Sequence, residues 1–343
     1  MTDAKFEKAG GDKSQDPTAA LANMIRGYRL SQLLYVVAKL DIAALMKRGP
    51  MTGDELGKAA GANSGNLIRI LRALVAHGVF QEITPDKFGL SPLAEALLKP
   101  EVRNYALMQD YDFLWRPWGE LLHQVTTGEV AFERSFGENF WTYVEKHPDA
   151  AMVFDQNMND RLSQEIAAVM EAGDFSGFVT IVDVAAGQGQ FLAAVLNRYP
   201  AARGILFDQP STIERARQYI DKQGLHDRCE LVAGSFFDRL PGGGDAYVLQ
   251  AVLHDWDNER AVKILKTCRA AMSRTAKLFV IESVLSGGPA AVRETMSDIT
   301  MMVLYGGMER TEAQLVELLT ASGFRLSQLK RTPARCILEA EWA

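Results

Sequence analysis

Hydrophobic positions along the chain follow two regimes. As far as about residue 172 they recur at helical spacing, and from residue 177 they form short β-branched runs separated by helical stretches. Residues 17–48 predict helix. From Leu30 to Met46 that segment is apolar nearly all round, through Leu33, Leu34, Tyr35, Val36, Val37, Leu40, Ile42 and Leu45. A helix with no polar face is buried on every side, and for a small N-terminal domain the expected cover is a second subunit. Thr52-Gly53-Asp54-Glu55 has the capping-box spacing and opens a helix ending at Gly61. Another helix, starting at Ser64 or Asn66 and running to Gly78, sets Leu67, Ile70, Leu71 and Leu74 on one face. Arg69, Arg72, Ala73 and Ala76 lie on the other. Two short strands around Pro85-Asp86 follow. Helices and then a hairpin make a winged-helix pattern.

Residues 103–127 predict an aromatic-rich helix in which Tyr111, Trp115 and Trp118 share a face. That face is either core or one wall of an apolar pocket. Helix resumes over 138–172 with a break at His147-Pro148, and Met152, Phe154 and Met158 are candidates to line the same cavity. Strand and helix then alternate. Strands are expected at 179–184, 204–207, 229–232, 245–249, 277–282, 324–330 and 335–340. Helices are expected at 213–223, 258–272, 290–304 and 312–322. This pattern is that of a mostly parallel seven-stranded sheet covered on both faces, a Rossmann-like α/β fold.

The first strand leads into Asp183-Val184-Ala185-Ala186-Gly187-Gln188-Gly189, and the second stops at Asp208. Small residues at such a turn let a ligand approach the backbone. An acid about 20 residues further on is placed for a ribose hydroxyl pair. A nicotinamide dinucleotide would favour a third glycine, where Leu192 stands. Asp183, inside the strand end, suits a ligand carrying an ammonium and a sulfonium, as S-adenosylmethionine does. An ordinary ligand-free turn is the third possibility.

Composition narrows the classes. The 343 residues suggest two domains; 48% are hydrophobic and 23% charged, as in globular proteins. A net charge of −6 gives no electrostatic case for nucleic acid or an anionic membrane. With only Arg69 and Arg72 on the candidate recognition helix, DNA binding is weaker than a packing role for the winged helix. No apolar run approaches membrane-spanning length. The first residues, MTDAKFEKAGGDKSQDP, have no signal-peptide core and are expected to be disordered. Cys229, Cys268 and Cys336 have neither metal-ligand spacing nor a disulfide rhythm, which fits a cytoplasmic protein.

Ligands in such sheets bind outside the carboxyl ends of the strands. Those ends here carry the 185–189 turn, Asp208, Ser235-Phe236, His254 and Glu282. His254 is the one histidine so placed. It is either structural or a general base, since imidazole titrates near neutrality. Glu282 or Glu309 can hold its other nitrogen. No serine nucleophile elbow is present, which argues against esterase chemistry.

In order, DVAAGQG, LFDQP, GSFFD, LHDWDNERA, VIES and GGMERT resemble the small-molecule O-methyltransferases, which include plant caffeate and flavonoid enzymes and bacterial natural-product enzymes. RLSQLLYVVAKLDIAALM and ILRALVAHGVF resemble the dimerisation domain of the same family. The resemblance runs from about residue 20 to near the C-terminus. It implies that Gly187 meets the methionine part of S-adenosylmethionine, that Asp208 holds the ribose, and that Ser235 and Phe236 flank the adenine. Gln250 and Trp256 would lie near the adenine edge or the cofactor tail. His254 matches the catalytic base, Glu282 and Glu309 the acids that bracket it, and Met158 and Met301 positions that touch the reacting groups. The chain departs from the family at Ala185 and Ala186, where glycine is usual, at Ser235, usually Asp, and at Gln250, often Lys.

The expected organisation is a disordered tail at 1–16, a winged-helix dimerisation domain at 17–101, linker and pocket helices at 102–176, and the Rossmann-like domain at 177–343. The expected activity is metal-free methyl transfer to a hydroxyl of an aromatic small molecule by a homodimer, releasing S-adenosylhomocysteine. A cofactor-binding relative doing decarboxylase, hydroxylase or pericyclase chemistry is the alternative among enzymes. A winged-helix ligand-sensing regulator is the alternative outside them.

Overall fold

The computed structural model describes residues 16–286, 292–333 and 335–343. The tail expected at 1–16 therefore lies outside the described residues except for Asp16, as do the first two residues of the helix expected from 290. The chain divides into two compact units between Asp110 and Tyr111.

In the first unit the long N-terminal helix is three pieces, Pro17–Ile25, Gly27–Lys39 and Ile42–Leu45. Asp41, at φ 53°, turns the chain between the last two. The breaks change which face is covered. Val37, Ala38, Ile42, Ala43 and Met46 are buried, while Leu30, Leu33 and Leu34 are only half-buried. Within one chain a single face of the segment is covered, and the cover expected for the rest is a second subunit. Upstream, Leu21, Met24, Ile25 and Tyr28 are 59%, 76%, 69% and 52% exposed.

Thr52 does close a capping box with Glu55 over the helix Gly53–Ala60. The next helix, Ser64–Ala76, is capped by Asn63, which bonds the Asn66 N–H. Leu67, Leu71 and Leu74 face the core with Leu56, Phe80 and Phe88. Strands β1 (Met51–Thr52), β2 (Phe80–Thr84) and β3 (Lys87–Leu90) form a small antiparallel sheet in the order β1-β3-β2.

The second unit is built on β4 (Thr180–Val184), β5 (Arg203–Asp208), β6 (Cys229–Ala233), β7 (Ala246–Gln250), β8 (Lys277–Glu282), β9 (Phe324–Arg331) and β10 (Cys336–Trp342). Their order is β6-β5-β4-β7-β8-β10-β9, and only β10 runs against the rest. Alternation along the strands feeds two cores. Val182, Val184, Tyr247, Leu249 and Val280 pack on helices Asn258–Ala271 and Glu312–Ala321. Ile181, Val248 and Ile281 pack on Gln190–Arg198, Pro210–Lys222 and the end of Pro148–Ala172. From β4 the chain steps outward to β5 and β6, then returns to β7 on the opposite side of β4. The crevice at that reversal, beyond the ends of β4 and β7, is where such sheets receive ligands.

The single aromatic helix expected over 103–127 is not formed. Pro117 divides the stretch into Asp112–Trp115, the tight turns of Arg116–Glu120, and Leu121–Thr127. Tyr111 and Trp115 are 38% and 41% exposed, so they are not core. Phe113, Phe132 and Phe140 form the core instead, with Val303 and Leu304. Phe154 packs against it, but Met152 is exposed. Among the described residues no helix is long and apolar enough to cross a membrane.

Candidate active site

The turn after β4 carries three residues in the left-handed region: Ala185 at φ 57°, Gly187 at 58° and Gly189 at 84°. At Ala185 this conformation costs roughly 1–2 kcal/mol, and N–H bonds from Ala185 and Ala186 to the Phe207 carbonyl hold it. The two glycines serve different ends. A Cβ on Gly189 would sit 2.4 Å from Leu206 Cδ1, so that position is required for packing. A Cβ on Gly187 would meet nothing within 4 Å, so that side of the turn is open.

Asp208 closes the turn from the end of β5. Its Oδ2 accepts the Gly187 N–H at 2.8 Å and its Oδ1 the Gln209 N–H at 2.6 Å. Burial raises it to about 6 despite those bonds. Asp183, inside β4, is raised further, to about 8, by burial and by the charge of Asp208. Its Oδ2 is buried without a hydrogen-bond partner among the described residues. A buried carboxyl group lifted this far and left with an unpartnered oxygen is one that a positively charged ligand would ionise. Gln188, at the tip of the turn, donates to Asp155 at 3.3 Å and accepts from Asn159 at 2.9 Å; Asp155 also holds Arg215.

Beyond β6, the Ser235 hydroxyl accepts the Phe237 N–H at 3.2 Å. The Phe236 ring meets Trp256 edge to face at 5.8 Å, and Trp256 lies parallel to Trp141 at 6.4 Å. Gln250, the last residue of β7, is buried with its Nε2 unpartnered among the described residues. Met301 is buried on helix Val292–Tyr305, and Met158 half-buried on Pro148–Ala172.

His254 sits in a single tight helical turn, Leu253–Asp255, just past β7. Glu282, at the end of β8, accepts the backbone N–H groups of Val252 and Leu253 on Oε1 at 3.0 and 2.8 Å. Arg310 clasps the same segment, donating to the carbonyls of Leu253 and Trp256 at 2.7 Å each. Gly307 lets the next segment in, since a Cβ there would lie 2.1 Å from the His254 carbonyl oxygen. That approach brings Glu309 Oε1 to 3.2 Å from His254 Nδ1, and Ser297 donates to the same oxygen at 2.8 Å. Glu282 Oε2 is 3.7 Å from Nδ1, and Asp255 Oδ1 is 3.5 Å from Nε2. Burial presses the imidazole down, but Glu282, Asp255 and Glu309 outweigh it and lift it to about 9.

The fold thus brings three groupings together: Gly187 with Asp208, Phe236 with Trp256, and His254 with Glu282 and Glu309. Asp255 and Arg310 lie inside motifs singled out from the sequence but were given no role there. Gln188 likewise lies inside the turn motif without a role assigned to it, whereas Asp155, Arg215 and a buried Arg335 carry no sequence signal of function.

An open glycine turn at the switch point, an acid at the end of β5 on one side of it and a buried imidazole just past β7 on the other make a crevice that suits a nucleoside cofactor. Residues 118–325 match the model of the O-methyltransferase domain, and residues 22–100 that of the O-methyltransferase dimerisation domain. The chain is 42% identical to phenazine O-methyltransferase PhzM of Lysobacter antibioticus, over 92% of this chain and 93% of that one. It is 34% identical to 8-amino-8-demethylriboflavin N,N-dimethyltransferase of Streptomyces davaonensis, over 86% and 87%. The structure of NcsB1, an O-methyltransferase from neocarzinostatin biosynthesis in complex with S-adenosylmethionine and 2-hydroxy-5-methyl naphthoic acid, superposes with a TM-score of 0.85. It has 31% identity and covers 96% of this chain and 100% of that one. The chain belongs to the S-adenosylmethionine-dependent O-methyltransferase family.

Proposed function

We propose that this homodimeric enzyme methylates a hydroxyl of an aromatic metabolite of bacterial secondary metabolism, with His254 as general base. The observation that carries this reading is the buried imidazole anchored through Nδ1 by Glu309, at the strand end beside the cofactor turn. Bound S-adenosylmethionine supplies an electrophilic methyl group. Gly187 gives it room, Asp208 takes the ribose, Asp183 offers the orphaned carboxylate oxygen to its positive charge, and Ser235, Phe236, Gln250 and Trp256 enclose the adenosyl part. Met158 and Met301 border the reacting groups. The free thiols of three buried cysteines fit a cytoplasmic enzyme.

The raised imidazole is a strong acceptor for a phenol's proton only in its neutral form, which with a midpoint lifted to about 9 gains population as the pH rises. A phenol near pKa 10 delivering its proton to an imidazole at about 9 faces a gap of roughly 1 unit, or about 1.4 kcal/mol. To an unperturbed imidazole near 6.5 the gap would be roughly 3.5 units. The proton passes from the acceptor O–H to Nε2, while Nδ1–H remains with Glu309. Glu282, Asp255 and Glu309 stabilise the imidazolium, and the freed oxygen would take the methyl group as its bond to the sulfonium sulfur breaks, leaving S-adenosylhomocysteine. The carboxylates need not take the proton themselves.

The test is incubation with labelled S-adenosylmethionine and a panel of acceptors, read by mass spectrometry. The panel holds 1,4-dihydroxy-2-naphthoic acid, 3-amino-4-hydroxybenzoate and their non-hydroxylated counterparts. Transfer that requires the hydroxyl is expected. Transfer to an amine alone would make this an N-methylating member, and cofactor binding without transfer to any acceptor would sink the reading.

Assembly gives a separate expectation. Leu21, Met24, Ile25 and Tyr28 present one exposed apolar strip inside the segment that matches the dimerisation domain. An obligate interface of this kind exceeds about 2,000 Å². Light scattering at micromolar concentration should give twice the 37.9 kDa chain mass, and Met24→Asp with Ile25→Asp should give the monomer. A stable wild-type monomer would refute this assembly.

A further inference from the structure

We propose that Arg335 is a positioning residue for the base: its guanidinium, held between Glu165 and Glu282, fixes Glu282 and through it the segment that presents His254. The proposal rests on the reading of His254 as base.

Arg335 lies just before β10 and its side chain is fully buried. Thr332 pins its backbone, since the Thr332 hydroxyl accepts the Arg335 N–H at 2.9 Å and donates to the Arg335 carbonyl at 2.8 Å. The guanidinium Nε donates to Glu165, a buried carboxylate on helix Pro148–Ala172. Nη1 stands 3.9 Å from Glu282 Oε2. Both Nη groups and Glu282 Oε2 are buried without hydrogen-bond partners among the described residues. A guanidinium does not lose its charge in a protein, and a buried charge is retained only against counter-charge. Arg335 is therefore a fixed cation whose second partner is the carboxylate that holds the backbone of Val252 and Leu253.

Its charge also bears on the imidazole. His254 is faced by Asp255 from its own turn, by Glu282 from β8 and by Glu309 beyond helix Val292–Tyr305. Arg161 of helix Pro148–Ala172 acts on Asp255, whose charge in turn raises Tyr305 of helix Val292–Tyr305, and Glu282 and Glu309 act on Arg310. Arg335 in turn helps hold Glu309 ionised. Against the imidazole the same cation works the other way: at 3.9 Å from Glu282 Oε2 it offsets part of the negative charge that, with Asp255 and Glu309, keeps the proton on His254. Glu165 adds a mechanical link. It stands two helical turns after Met158, on the same face of one helix, so the helix bordering the acceptor and the base are tied to one side chain.

The test is a titration of His254 in the full chain, followed by NMR of ¹³C-labelled histidine rings. There are five histidines, and comparison with His254→Gln identifies the signal. Arg335→Met should move the midpoint up from about 9 by about one unit, because a cation is lost beside anions. Arg335→Lys should bring it most of the way back. Glu165→Gln, which leaves the guanidinium less neutralised, should move it down. A merely structural arginine would lower Tm and leave all midpoints in place. An unmoved midpoint in Arg335→Met overturns the proposal, and if that variant does not fold, an unmoved midpoint in Glu165→Gln does so. The base reading fails separately, if His254→Ala keeps the wild-type rate whatever the midpoints do.

Discussion

His254→Ala lowers kcat by about 10²–10⁴-fold and leaves the Kd for S-adenosylmethionine within about twofold of wild type. The split follows from the geometry. The imidazole is held by Glu309 through Nδ1, which leaves Nε2, 3.5 Å from Asp255 Oδ1, as the nitrogen proposed to receive the proton. The residues proposed for the adenosyl side are others: Gly187, Asp208, Phe236 and Trp256. Only the neutral imidazole accepts a proton, so kcat/KM should rise with pH through about 9, the value to which the three carboxylates lift it. That rise belongs to the free enzyme and should be absent in the alanine variant. Glu309→Gln keeps the shape, removes one charge, and should move the rise to lower pH with a smaller loss of rate. Stopped assays from pH 6 to pH 10 separate these outcomes. A wild-type rate in His254→Ala across that range would leave proximity alone as the source of catalysis.

Asp208→Ala should weaken S-adenosylmethionine at least tenfold, by calorimetry. A hydrogen bond to a charged acceptor contributes about 1.5–3 kcal/mol, and a ribose pair offers two. The structure adds a second reason. Asp208 Oδ2 holds the Gly187 N–H and its Oδ1 the Gln209 N–H, so the alanine variant also frees the turn against which the cofactor lies. Asp208→Asn separates the two effects. The amide oxygen can still accept one N–H, so the turn should stay closer to its place, while one charged acceptor is lost. Its affinity should therefore fall between wild type and alanine. Unchanged affinity in Asp208→Ala would remove the ribose assignment.

Much of the sheet was legible because buried parallel strands are short, continuous β-branched runs bounded by small or polar residues. The run at 179–184 and the strand Thr180–Val184 differ by one residue at one end. The site was legible for a related reason, since its polar residues stand at strand ends, where periodicity stops. Local backbone geometry was harder. Asp41 adopts a left-handed conformation with no glycine to mark it, and it splits a segment that looked continuous. Pro117 did mark the break in the aromatic stretch, but helical spacing of Tyr111, Trp115 and Trp118 outweighed it in the sequence pattern. Arg335 was illegible for another reason. A buried charge is recognised by its partners, and Glu165 is 170 positions away along the chain.

The placing of β10 also has a consequence for synthesis. It follows every other strand in the chain, yet it lies inside the sheet between β8 and β9. As the polypeptide leaves the ribosome, β4 to β8 can pair in register with the cofactor turn already in place. The far edge of β8 must wait, exposing unpaired backbone groups, the kind of surface that invites aggregation. Only the last strand to emerge seals that edge, and it brings Arg335 in with it. The side of the crevice formed by the β4 turn and β5 can therefore take shape before the side that carries His254, Glu282 and Arg335 is sealed.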